Sequence, residues 1–189
     1  MTARTIRTRR FALAACACLL ALATGTAMTK AYSLFPWWWT NISPLRVCVA
    51  GPLTATYANQ ALVDWDNTAT PFSYTGNCTS PQVRFVDINN PNVSWDGRIV
   101  TAPVSPSGGN VSAVRIELNY HFLQSYQFAA ARSVANHELG HALGLAHTTA
   151  AVVMHPTTCG FLGSSSRWCY YFVQVPAQDD INGVNARYQ

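Results

Sequence analysis

The chain has 189 residues and a formal net charge of +4, a length typical of one domain with its own hydrophobic core. Four of the 12 Lys and Arg residues lie in the first 27 residues, so residues 28–189 carry equal numbers of acidic and basic side chains. This balance argues against a basic surface for nucleic acid or for an anionic membrane.

Residues 1–27 have the three parts of a secretory signal peptide. Arginines precede an apolar run at residues 11–23, and small residues follow up to Ala27. The run is too short to span a bilayer. We therefore expect cleavage after Ala27, export of the remainder and no stable membrane insertion. Weaker interpretations of the same region are cleavage at Ala23 or Ala31, a lipoprotein box ending at Cys16 and a twin-arginine signal at Arg9 and Arg10.

Residues 28–43 form an aromatic-rich segment that contains Trp37, Trp38 and Trp39. These side chains either form a binding platform for sugars or surfaces, or pack into the domain. Packing is the more common outcome, and we expect it here.

Residues 44–189 contain the periodic patterns of a mixed α and β domain. Apolar residues alternate in residues 45–50 and recur at helical spacing in residues 54–66, and turn-forming residues separate the later predicted strands. The expected strands are 45–50, 83–88, 98–102 and 111–118, and the expected helices are 54–66, 125–143 and 178–188.

The last expected strand, 111–118, leads into the helix that carries the most informative stretch of the chain, His137-Glu138-Leu139-Gly140-His141. Two histidines four residues apart lie on one face of an α-helix, roughly 6 Å from each other, so they can bind one metal ion. Glu138 lies at the edge of that face, where it can act on a metal-bound water without becoming a ligand.

His147 supplies a third imidazole only if the helix ends before it. A continued helix would carry His147 about 9 Å along the axis and to another side. Gly144 favours the break, because glycine adopts the left-handed conformation at a helix end at little cost. Three imidazoles with one open position are typical of a catalytic zinc site.

The run from His137 to His147 matches the HExxHxxGxxH signature of the metzincin zinc endopeptidases, and the chain resembles their matrixin branch, the matrix metalloproteinases. Met154 lies in a segment similar to the family's Met-turn, so the resemblance implies that it lies beneath the three imidazoles. It also implies that Pro156 helps to wall the main specificity pocket, with Thr158 where a tyrosine is common. Size and layout are similar to those of secreted bacterial snapalysin-type peptidases, which have an aspartate in place of His147.

The resemblance implies an α+β fold for residues 44–189 as a metzincin-like catalytic domain. Its features are a twisted, mostly parallel sheet with an edge strand, two long helices above the cleft and a C-terminal helix. Asp179 and Asp180, at the start of that last helix, are implied to tie it to the Met-turn and to the N-terminus of the chain. We interpret both as structural residues.

The predicted activity is secreted, zinc-dependent cleavage of internal peptide bonds in extended polypeptides. One catalytic Zn²⁺ on His137, His141 and His147 would activate a bound water, and Glu138 would act as the general base. We expect a monomer. The alternative is a secreted, zinc-stabilised binding module without turnover, which retention of Glu138 disfavours.

Cysteine usage fits an exported chain. Four cysteines follow the signal peptide, and their proximity along the chain favours pairing of Cys48 with Cys78 and of Cys159 with Cys169. Oxygen donors for an additional structural Ca²⁺ are present in one stretch, namely Asp87, Asn89, Asn90 and Asp96.

Overall fold

The computed structural model describes residues 31–101, 108–159 and 165–189. The predicted signal peptide, residues 1–27, therefore lies outside the described residues. In chain order the elements are β1 (Ser33–Leu34), β2 (Trp37–Trp38), β3 (Leu45–Val49), α1 (Ala55–Asp66), β4 (Tyr74–Gly76), β5 (Val83–Ile88), β6 (Gly97–Thr101), β7 (Gly109–Asn110), β8 (Val114–Asn119), α2 (Tyr120–Leu123), α3 (Phe128–Ala142), β9 (Leu145–Ala146) and α4 (Gln178–Tyr188).

A five-stranded sheet forms the centre of the fold, with strand order β4-β3-β5-β8-β6. The first four strands run parallel, and β6 pairs with β8 in the antiparallel direction at the edge. Strand β8 is buried along most of its length, as expected for a strand covered on both faces. The predicted α+β class and the mostly parallel sheet with an edge strand are confirmed.

Helix α3 is almost completely enclosed. Twelve of its 15 residues are buried, because α1 packs on one side of it and strands β6 and β8 lie on another. Trp65 of α1 joins the two helices by donating its indole N–H to the carbonyl of Asn136, at 3.1 Å. Polar side chains on such a helix need partners inside the protein, and α3 carries His137, Glu138 and His141.

The N-terminal segment packs into the domain, as expected. Trp37 and Trp39 are buried, whereas Trp38 is 38% exposed. The indole of Trp39 donates to the carbonyl of Ala142 at 2.7 Å, at the end of α3. Two of the three tryptophans are therefore unavailable for a surface platform.

The boundaries of some elements differ from those expected. The predicted helix 125–143 begins at Phe128, after a separate short helix α2, and the predicted strand 111–118 begins at Val114. The very short strands β1, β2, β7 and β9 were not predicted. Each of them pairs with a strand distant along the chain, which local periodicity does not reveal.

Both favoured disulfides are present, Cys48–Cys78 and Cys159–Cys169. The first connects β3 to the loop that follows β4, and the second closes a loop after the predicted Met-turn. None of the helices in the described ranges has the length and apolarity needed to cross a membrane.

Candidate metal centre and cleft

Three imidazoles converge at the C-terminal end of α3. The Nε2 atom of His147 lies 3.1 Å from Nε2 of His137 and 3.0 Å from Nε2 of His141. The metal-binding atoms of all three side chains lie within 4.8 Å of one another. The predicted trio is therefore assembled in the structure.

The turn after α3 brings His147 to the other two rings. The helix ends at Ala142, and Gly144 has a φ of +93°, in the left-handed region that favours glycine. Strand β9 then pairs with β1 and leads directly to His147. The helix break expected from the sequence occurs at the expected glycine.

Backbone carbonyls orient two of the rings. Nδ1 of His137 lies 2.7 Å from the carbonyl oxygen of Val153, and Nδ1 of His141 lies 2.8 Å from that of Leu145. A carbonyl only accepts, so each Nδ1 carries the proton and each Nε2 presents its lone pair to the centre.

Burial also keeps the imidazoles neutral. It lowers the pKa of His137 well below its usual value, and it lowers the pKa of His141 to about 3. The pKa of His147 is lowered too, by burial first and then by the positive charge of Arg167. Neutral imidazole is the form that binds a metal.

The donor set fits a divalent metal ion such as Zn²⁺. Tetrahedral Zn²⁺ with Zn–N bonds of about 2.0–2.1 Å separates its nitrogen ligands by roughly 3.3 Å, close to the observed separations. Three lone pairs facing one another repel unless a cation lies between them. Within the described residues the group contains no fourth His, Cys, Asp or Glu ligand, which is typical of a catalytic site.

Glu138 lies beside the three imidazoles with one carboxylate oxygen unpartnered. Its side chain is 3% exposed, and Oε2 is buried without a hydrogen-bond partner among the described residues. Burial raises the pKa of Glu138 to about 8, against an opposing effect of Arg167. A bound cation nearby would favour the ionised form.

Edge strand β6 approaches Glu138 closely at Gly97. A Cβ atom at position 97 would lie 2.7 Å from Cγ of Glu138, so only glycine allows this approach. The edge of the sheet and the carboxylate therefore border the same space.

Met154 packs against α3, and Pro156 lines the cleft. Met154 is buried against Gly140 of α3, and a Cβ atom at Gly140 would overlap its sulfur atom. Asp180 of α4 accepts hydrogen bonds from the backbone N–H groups of Val153 and Met154. Pro156 lines the open cleft in front of the imidazoles, which has a volume of about 840 Å³.

Phe35 and Arg167 are among the cleft residues that were not predicted from the sequence. Phe35 lines the cleft, with its ring centroid 5.4 Å from that of His141. Arg167 lines it too, although its side chain is almost fully buried. Neither residue belongs to a spacing pattern, so the sequence contains no local signal for them.

The predicted calcium donors gain no support from the structure. The Asp87 carboxylate accepts hydrogen bonds from the N–H groups of Leu53 and Thr54 and from the Thr54 hydroxyl. Asp96 accepts one from the hydroxyl of Tyr126. These carboxylates are occupied by protein donors.

The matrixin family model matches residues 55–189, and the chain therefore belongs to the matrixin family. Two solved structures of myroilysin are similar in fold, each with 20% sequence identity, a TM-score of 0.40 and coverage of 58% of this chain. The chain spans about half the length of those proteins, 52% and 46% respectively. Among curated proteins, none matches the sequence.

Proposed function

We propose that this protein is a secreted, zinc-dependent endopeptidase that hydrolyses internal bonds of extended polypeptides. The observation that carries the proposal is the convergence of three neutral Nε2 atoms next to the unpartnered oxygen of Glu138, in an open cleft. The two disulfides are compatible with an extracellular location.

The metal would be held by His137, His141 and His147. When bound, Zn²⁺ supplies a Lewis acid that polarises a carbonyl group and makes water a nucleophile near neutral pH. All other steps depend on residues of the chain itself.

Glu138 is the proposed general base. Its free oxygen accepts the proton of the attacking water and returns it to the leaving amine. The ionised carboxylate that a bound cation favours is the form able to take this proton. Met154 holds the rings from below without competing as a strong ligand.

Strand β6 is the proposed binding site for the polypeptide backbone. It is an edge of the five-stranded sheet, and Gly97, Arg98 and Ile99 line the cleft. An extended peptide can add to such an edge through main-chain hydrogen bonds. This geometry favours an unfolded or loop segment of a polypeptide as the substrate and requires no partner subunit, so we propose a monomer.

A glutamine substitution tests the role of Glu138. We expect Glu138→Gln to keep one zinc per chain and to lower kcat on a casein or fluorogenic peptide substrate by a factor of about 100 or more. Asp66→Asn, which removes one exposed carboxylate from the end of α1, should retain parental activity. Parental turnover by Glu138→Gln would contradict the assignment.

Metal removal tests whether the protein is a zinc-dependent peptidase or a binding module that zinc only stabilises. Phenanthroline should abolish peptide cleavage, and added Zn²⁺ should restore it. Burial of Trp37 and Trp39 removes two of the side chains that a binding platform would need. Zinc-loaded protein that binds but never cleaves a broad peptide library would favour the binding module.

A further inference from the structure

Arg167 is a buried cation in the wall of the cleft. Its side chain is 1% exposed and makes three hydrogen bonds to uncharged acceptors. Nε donates to Ser133 Oγ at 2.9 Å, Nη1 to the carbonyl of His155 at 2.7 Å and Nη2 to Thr158 Oγ1 at 2.5 Å.

No carboxylate pairs directly with this guanidinium. All eight Asp and Glu residues of the chain lie in the described ranges, and the three ion pairs found there do not include Arg167. Asp96, Glu138 and Asp180 attract it only through space. A fully buried arginine normally has a direct anionic partner, so the positive charge of Arg167 is incompletely balanced.

Arg167 and Glu138 line the same cleft and attract each other through space. Ser133 precedes His137 by one helical turn on α3, and His155 and Thr158 flank the Pro156 wall. Glu138 delivers its proton to the amine of the residue that follows the cleaved bond. In a bound substrate, the side chain of that residue would occupy the cleft that Arg167 lines.

We propose that Arg167 forms a subsite for a carboxylate, and that it selects substrates with Asp or Glu immediately after the cleaved bond; this inference rests on the proposed peptidase function. Among the described residues, three of the five guanidinium N–H groups have an acceptor, which leaves two. Two N–H groups match the two oxygens of a carboxylate, and hydrogen bonds between charged groups in a desolvated site are strong. Thr158 supports the subsite because its small side chain leaves space in the wall and holds Nη2.

Asp96 is the one carboxylate besides Glu138 that lines the cleft. Its negative charge would repel an acidic side chain of a substrate. The hydroxyl of Tyr126 donates a hydrogen bond to this carboxylate at 3.3 Å and weakens the repulsion. The alternative is that Arg167 has only a structural role and stabilises the backbone at His155 and Thr158 through its hydrogen bonds. That account predicts no preference between acidic and neutral substrates.

The wild-type protein provides the first test and requires no variant. Zinc-loaded protein is assayed on peptides acetylated and amidated at their ends, identical except for Asp, Glu, Asn, Gln or Leu after the cleaved bond. We expect kcat/KM for the acidic peptides to exceed that for their amide counterparts by about 10- to 100-fold. Cleavage of Asn, Gln and Leu peptides without an acidic preference overturns the subsite and leaves the proposed function intact. Failure to cleave any peptide contradicts the peptidase function and the subsite with it.

A second set of peptides tests whether the subsite binds a side-chain carboxylate or the C-terminal carboxylate of a peptide. Peptides that end at the residue after the cleaved bond are compared as free acids and as amides. An advantage confined to free acids, with none for internal Asp or Glu, would overturn the proposed selection of acidic side chains.

Substitutions then test Arg167 itself. In Arg167→Gln the ratio of kcat/KM for Glu over Gln peptides should fall to about 1, whereas Arg167→Lys should retain part of it. The matched control is Arg84→Gln, on strand β5 outside the cleft, which removes the same charge and should keep the ratio. If Arg167→Gln fails to fold, the wild-type profile and inhibition by N-acetyl-aspartate amide against N-acetyl-asparagine amide decide the question. Equal inhibition by the two amides would count against the subsite.

Discussion

At the scale of single residues, the centre depends on imidazoles that stay neutral. The N–H donors on the Nδ1 atoms of His137 and His141 are fixed by backbone carbonyls, and burial opposes a second proton on either ring. The Nε2 atoms of these two rings therefore present lone pairs to a metal ion. Binding of the ion displaces no proton from either ring at neutral pH.

This arrangement predicts acid sensitivity of the metal-free protein. The folded-state pKa of His141 is lowered to about 3, whereas the unfolded chain takes up a proton near pH 6.5. Below that pH the unfolded state binds more protons, so stability falls as pH decreases. Relative to His141→Gln, the free energy of unfolding of wild type should fall by about 2 kcal/mol between pH 7 and pH 5.

Urea unfolding of the chelated proteins at pH 7, 6 and 5 measures this difference. Parallel pH profiles for wild type and His141→Gln would show that the buried ring does not carry the effect.

Sequence reasoning was most successful where chemistry follows local spacing. His137, Glu138 and His141 share one helix, so their geometry follows from the helical repeat, and Gly144 marks its end. Arg167 follows no such repeat. It reaches the cleft only because the chain folds back after Met154, and a lone arginine near two cysteines gives no sign of that path.

At the scale of elements, α4 acts on the centre through the segment beneath it. Asp180, at the start of α4, accepts N–H groups from Val153 at 3.1 Å, Met154 at 3.3 Å and Ala177 at 2.8 Å. The carbonyl of Val153 in turn orients His137. Helix α4 thus holds the backbone of Val153, whose carbonyl orients the proposed metal ligand His137.

Asp180→Asn should weaken this connection, because an amide keeps only one acceptor oxygen for the three N–H groups. We expect a loss of about 1–3 kcal/mol in the free energy of unfolding together with weaker zinc retention. Asp179→Asn is the matched control, since the hydrogen bond that Asp179 accepts from the backbone N–H of Ala31, at 3.3 Å, does not reach the Met154 segment. Calorimetry and a competition assay with a zinc indicator provide the measurements, and equal effects at the two positions would contradict the prediction.

Long elements were predicted well and short ones were not. Apolar spacing predicted α1, the histidine spacing predicted α3, and resemblance to the matrixins predicted α4. The apolar runs of β3, β5 and β8 identify the sheet. Strand β2 has two residues, and each pairs with a residue of β7 that lies 72 positions further along the chain. Only the folded chain defines that pairing.

At the scale of the whole molecule, the two disulfides constrain different parts of the protein. Cys48–Cys78 spans 30 residues and belongs to the sheet, whereas Cys159–Cys169 spans 10 residues and encloses the part of the cleft wall that carries Arg167. The longer loop restricts the unfolded chain more strongly.

Replacing each pair by serine should separate stability from activity. Loss of Cys48–Cys78 should cost about 4 kcal/mol of unfolding free energy and loss of Cys159–Cys169 about 3 kcal/mol, in the chain-entropy account. Well below both unfolding temperatures, only the Cys159–Cys169 variant should show a reduced kcat/KM. Denaturant unfolding and a peptide assay test both statements, and the reverse order of activities would refute them.

The absence of a side chain at Gly97 places the proposed site of backbone binding next to the proposed site of proton transfer. The strand proposed to align the incoming backbone touches the carboxylate proposed to move the proton. A substrate seated one residue out of step along β6 would present its alternate peptide group, with the N–H and C=O turned away, to the base. In the proposed enzyme, the pleat of β6 would therefore admit only every second peptide group of the substrate to the reaction.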